Sequence, residues 1–116
     1  MNYPDGDQKR DFIYVKDVAR MTCAFLTNDE GGLFNIGSGQ ARTWNELARA
    51  VFKALGKPVK IEYIDMPADL CGKYQNYTCA DMRKTQKALK GIGKTESLDN
   101  SVADYVRNYV VPDKRW

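Results

Sequence analysis

Residues 88–95 read ALKGIGKT, which fits the minimal phosphate-loop pattern of Ala or Gly, four residues, then Gly-Lys-Thr. A working phosphate loop needs an apolar strand before it and a helix directly after it. The strand aims the loop, and the amides at the helix start cradle the phosphates. Here residues 82–90 read MRKTQKALK, helical in composition and spacing, and Ser97 is a better cap for the next helix than Thr95. Gly91 stands where a helix-ending glycine belongs, so Gly91 or Gly93 is expected at a positive φ and Lys94 in solvent. The motif reads as a helix stop, not a triphosphate site. The other reactive side chains are equally restrictive. Cys23, Cys71 and Cys79 are odd in number and form no C-x-x-C pair, and the chain contains no histidine. A zinc centre, a Cys–His nucleophile and a Ser–His–Asp triad all lack their parts, and no metal site is expected. The cysteines read as free thiols of a reducing compartment.

The elements that would position any site fit one domain of 116 residues. With 43% hydrophobic and 28% charged residues the composition is globular, and the net charge of +3 comes from bases scattered among acids. No block of like charge points to nucleic acid or a membrane surface. No apolar run approaches a membrane span, and MNYPDGDQKRD lacks the basic and apolar regions of a signal peptide. The expectation is a cytoplasmic protein, on which the Asn76-Tyr77-Thr78 sequon has no meaning.

Residues 1–9 read as a loop or tail, 10–111 as the folded part and 112–116 as a tail. The segment 11–15 (DFIYV) predicts a short strand, after which Asp17 caps a helix to about Leu26. LFNIG at 33–37 predicts a strand buried on both faces, and GSGQA at 37–41 a tight turn. Thr43 and Glu46 form a capping box ahead of a helix carrying Leu47, Val51, Phe52 and Leu55, ended by Gly56 and kept ended by Pro58. VKIEYI at 59–64 alternates as a strand. Residues 65–81 form a loop unusually long for a compact domain, and such loops are often functional. A helix over 82–90 and a last helix from the Ser97 cap through Tyr109, closed by Pro112, complete the chain. This is an α/β pattern of about four helices and a few short strands.

Three stretches, RDFIYVKDVA (10–19), GLFNIGSG (32–39) and TWNEL (43–47), resemble the C-terminal half of the extended short-chain dehydrogenase/reductase enzymes that act on nucleotide sugars. LCGKYQNYTCADMRKTQKAL (70–89) is similar to the ADP-heptose 6-epimerase branch of that superfamily, and the likeness continues to about Val110. The resemblance implies a C-terminal, substrate-side fragment of an extended Rossmann-type epimerase. It implies an ADP-sugar substrate of lipopolysaccharide biosynthesis, NADP held by an N-terminal Rossmann domain, and a homo-oligomer when complete. Against that pattern, the chain has no glycine fingerprint, and none of its seven tyrosines has a lysine four residues on. The chain alone is therefore expected to be inactive and not to bind NADP, with no catalytic residue of its own. Another nucleotide-sugar 4-epimerase or dehydratase, or a non-catalytic interaction module, is the alternative.

Two residues carry the site that the resemblance implies. Arg10 matches the arginine that contacts the nucleotide diphosphate, a task suited to a planar guanidinium donating to neighbouring phosphate oxygens. Tyr74 matches a tyrosine that reaches the substrate from the long loop, its phenol donating while its ring packs. Asp17 reads as a structural cap. Asn35 and Gly37 end a strand beside the nucleotide in the family, and Lys73 reads as a solvated loop lysine.

Overall fold

The computed structural model describes residues 4–114; the outer parts of the two expected tails, 1–3 and 115–116, lie outside the described residues. Strand β1 (Lys9–Asp11) pairs antiparallel with β2 (Ala41–Thr43), Arg10 lying opposite Arg42. Helix α1 is Val15–Ala24, α2 is Trp44–Leu55, α3 is Arg83–Leu89 and α4 is Leu98–Tyr105. A 3-10 turn (Lys90–Gly93) follows α3, and a wide π-type turn (Val106–Val110) prolongs α4 towards Pro112.

The start of α2 follows from sequence as written. Thr43 accepts the Glu46 amide at 3.0 Å, and Glu46 accepts the Thr43 amide at 2.7 Å, so two orphan donors are satisfied reciprocally. At the other end Gly56 adopts φ 64°, a left-handed cap that a Cβ would disfavour. Ser97 caps α4 by accepting the Asn100 amide at 3.2 Å.

Elsewhere the structure corrects the sequence. The first strand begins two residues earlier than 11–15 and ends at Asp11, because only residues 9–11 find a partner strand; α1 then starts at Val15. Asp17 does not cap α1. It lies inside the first turn, 7% exposed, where it binds Arg20 at 2.8 Å and accepts the Glu96 amide at 2.9 Å, tying α1 to the approach of α4. Segments 33–37 and 59–64 form no ladder among the described residues, and Leu33 is 91% exposed rather than buried. A strand pattern states which faces are apolar; pairing requires a neighbour, and among the described residues neither segment has one. Residues 33–37 are held instead by α3. The Leu33 carbonyl accepts from Lys84 at 2.7 Å, the Asn35 carbonyl from the Thr85 hydroxyl, and the Gly37 amide meets Met82 Sδ at 3.2 Å.

The helix stop at residues 88–95 is present, but its mechanics differ from expectation. The residue at positive φ is Lys90 (51°), not Gly91 or Gly93. Gly91 faces open space, whereas a Cβ on Gly93 would stand 3.2 Å from Gln86 Cα. The glycine required here is Gly93, for close approach of the turn to α3.

The core is small. Met21, Met82 and Leu89 form its centre, covered by Ile13, Ala24, Phe25, Ile36 and Ala80. A second contact joins α2 to α4 and the π-type turn that prolongs it, where Ala50, Ala54 and Val106 are buried and Arg107 donates to the Ala54 carbonyl at 3.1 Å.

Candidate functional site

The β1–β2 ladder fixes Arg10, and the capping box fixes Trp44 at the first position of α2. Trp44 is held twice more: its amide donates to Gln8 O at 3.3 Å, and its ring meets Phe12 edge-on with centroids 5.0 Å apart. The long loop returns to the same place. Lys9 donates to Asn76 O at 2.8 Å and accepts the Thr78 amide at 3.1 Å, which carries Tyr74 back over β1. The Arg10 guanidinium lies 4.7 Å from the Tyr74 ring centroid, within cation–π range. The Tyr74 oxygen accepts a 2.9 Å hydrogen bond from Trp44 Nε1. Arg10 also donates to its neighbour Lys9 O at 3.0 Å.

Tyr74 and Trp44 both line a cleft of about 480 Å³. Its walls include Gly6, Tyr63, Met66, Pro67 and Leu70, with Glu62 and Asp65 adding carboxylates. Arg10 does not line this cleft; its guanidinium lies over the ring of Tyr74, which does. Tyr63 is positioned by Asn45, whose carbonyl accepts its hydroxyl at 2.8 Å while the amide nitrogen donates to Asp5 O and Asp7. A second hollow of about 230 Å³, walled chiefly by Phe12, Leu47, Val51, Leu98 and Val102, is more apolar and lies between α2 and α4.

Sequence reasoning named Arg10 and Tyr74, and the structure brings them together across 64 residues. Gly37 is buried, and a Cβ there would stand 2.5 Å from Ala80 Cβ; Asn35 donates to Asp81 O at 3.3 Å. Lys73 is exposed. Two residues were missed. One is Trp44, read only as part of a helix start; its exposure at 40% in the first turn was a signal no periodicity carries. The other is Asp11. Its carboxylate accepts Ser38 N at 2.7 Å and the Ser38 hydroxyl on one oxygen, and Gly39 N at 3.0 Å and Ala80 N at 2.9 Å on the other. Burial pushes the Asp11 carboxyl up, but the Ser38 hydroxyl and the Ala80, Ser38 and Gly39 amides outweigh it and hold the group below its ordinary value. Asp11 thereby joins β1, the 37–39 turn and the end of the long loop. Among the described residues no helix is long and apolar enough to cross a membrane, and no cluster of three His, Cys, Asp or Glu side chains could hold a metal.

Comparison with known proteins agrees with this layout. Residues 1–37 match the model of the NAD dependent epimerase/dehydratase family. The ADP-L-glycero-D-manno-heptose-6-epimerase of Nitratidesulfovibrio vulgaris is 49% identical over 94% of this chain, and that of Fusobacterium nucleatum 40% identical over 98%. The chain spans about a third of the length of these curated relatives, 34% and 36% respectively. Among solved structures, UDP-N-acetylglucosamine 4-epimerase from Methanobrevibacter ruminantium superposes with a TM-score of 0.77 over 96% of this chain and 34% of that one, at 23% identity. UDP-glucuronic acid 4-epimerase from Bacillus cereus, solved with UDP-glucuronic acid and NAD, gives 0.70 at 27% identity over 90% of this chain and 34% of that one. The α/β fold is that of about a third of a Rossmann-like epimerase.

Proposed function

From a likeness that takes in nearly the whole chain and a third of each ADP-heptose epimerase, we propose that it is the C-terminal, substrate-binding portion of an enzyme of that kind. In this reading residues 10–111 form the substrate side, and Arg10 and Tyr74 receive the diphosphate of an ADP-sugar. One observation supports it above the rest: the guanidinium over the ring of a tyrosine that lines an open cleft and whose hydroxyl is already oriented. A planar fork over the ring of a phenol offers several donors to phosphate oxygens without a metal-ligand set.

Nothing in this chain fits the dinucleotide. It lacks the glycine fingerprint and the Tyr-x-x-x-Lys pair, so NADP and proton transfer belong to the part of the relatives outside the matched third. The chain on its own neither turns over an ADP-sugar nor binds NADP. The complete enzyme is cytoplasmic, serves lipopolysaccharide heptose synthesis and forms a homo-oligomer. Identity near one half to the heptose enzymes, against about a quarter to a UDP-sugar 4-epimerase, favours the heptose substrate.

Arg10→Ala in the complete enzyme tests the assignment. Loss of a charge-assisted hydrogen bond, about 1.5–3 kcal/mol, raises KM roughly 10- to 150-fold. An unchanged KM would reduce Arg10 to a surface residue.

A further inference from the structure

We propose that Trp44 is a positioning residue that turns the Tyr74 hydroxyl into a directed donor for the phosphate oxygens of the nucleotide; this rests on the reading of Arg10 and Tyr74 given above. Indole Nε1–H can only donate, so in the 2.9 Å contact the Tyr74 oxygen is the acceptor. One lone pair of that oxygen is occupied by Trp44. The phenolic hydrogen must then point away from the indole, free for an acceptor outside. A tyrosine without such a neighbour presents donor and acceptor equally, and its hydroxyl rotates to suit either. Tyr74 bound to Trp44 is biased toward ligands rich in acceptors, which is the character of a diphosphate.

The fixing of the two side chains is unequal, and the inequality sets the direction of control. Trp44 stands on a capped helix, its ring braced edge-on by Phe12 and its amide tied to Gln8. Tyr74 comes from the long loop, where its side chain has Arg10 over its ring and Trp44 at its oxygen. The rigid partner orients the loop-borne one. Trp44 is also 40% exposed and absent from the buried core, so core packing does not explain an indole at this position.

The test is a double-mutant cycle in the complete enzyme, with ADP as the binding probe in calorimetry and the ADP-sugar as substrate in kinetics. Trp44→Phe keeps a ring against Phe12 and removes only the N–H donor. It should weaken ADP binding and raise KM about three- to tenfold with kcat unchanged. In a Tyr74→Phe background the same change should have no further effect, because the N–H then has no oxygen to orient. Equal losses in both backgrounds, or no loss in the wild-type background while Tyr74→Phe does weaken binding, would overturn the role of Trp44 alone. No effect of Tyr74→Phe itself would overturn the diphosphate site and this inference with it.

Discussion

Replacing Asp11 by asparagine isolates the contact that organises the site's surroundings. The carboxylate accepts four hydrogen bonds from three residues, two on each oxygen. Asparagine keeps one oxygen, which can retain Ser38, and sets an NH2 group against the amides of Gly39 and Ala80. Two donors then face a donor. Each orphaned donor costs about 1–3 kcal/mol when buried. Partial exposure admits water, so the pair should cost roughly 2–4 kcal/mol in total, a large fraction of a typical domain's stability. Urea unfolding at pH 7 reads this as a midpoint lowered by about 1–2 M at unchanged slope. The pH dependence gives a second check. The folded carboxyl lies below its ordinary 3.8, so its stabilisation is complete above about pH 4 and is lost as pH falls through the depressed value. The gap between wild type and Asp11→Asn should stay constant near neutrality and close in acid. A variant within about 0.5 kcal/mol of wild type, the range of an ordinary surface substitution, would refute the four-bond account. A gap that fails to narrow at any point of the acid titration would refute the carboxylate's part in it.

Further outcomes are expected from the turn at residues 88–95 and from α2. Gly91→Ala should leave the urea midpoint unchanged or slightly raised, since its φ is not positive and open space surrounds it. Gly93→Ala, by contrast, should cost about 1–3 kcal/mol from its 3.2 Å approach to Gln86 Cα. Lys90→Gly should stabilise by about 1 kcal/mol in the same assay, because φ 51° with ψ −130° strains any side chain. Thr43→Ala should cost about 1 kcal/mol and lower helicity by circular dichroism, since the capping box is complete in the structure.

The sequence announced what local chemistry decides. Thr43 with Glu46, Gly56 and Ser97 are caps formed by neighbours three or four residues away, and each sits where its pattern put it. The two expected strands at 33–37 and 59–64 could not be judged that way, because pairing depends on a partner that period-2 alternation does not name. The helix stop was legible, yet its strained residue was not. Composition favours glycine at a positive φ, whereas the turn places Lys90 there and uses Gly93 for close approach to Gln86. Of the site, Arg10 and Tyr74 came from the resemblance. The indole between helix and loop, and the carboxylate linking residues 11, 38 and 80, join segments far apart in the chain, and no spacing rule reaches so far.

The way α3 grips residues 33–37 leaves that segment with two unlike sides. Backbone groups of successive residues in an extended chain point to opposite sides, and the backbone contacts to Lys84, Thr85 and Met82 fall at positions 33, 35 and 37. In such a chain the amides and carbonyls of Phe34 and Ile36 belong to the other margin, while the Phe34 ring lies tilted against Phe25 at 4.6 Å with the Lys84 ammonium 4.4 Å above it. A segment clamped along one margin can accept an added strand only along the other. Because the repeat is two residues, an incoming strand must settle in a register set by Phe34 and Ile36, and a slip by one would meet the face already taken by α3.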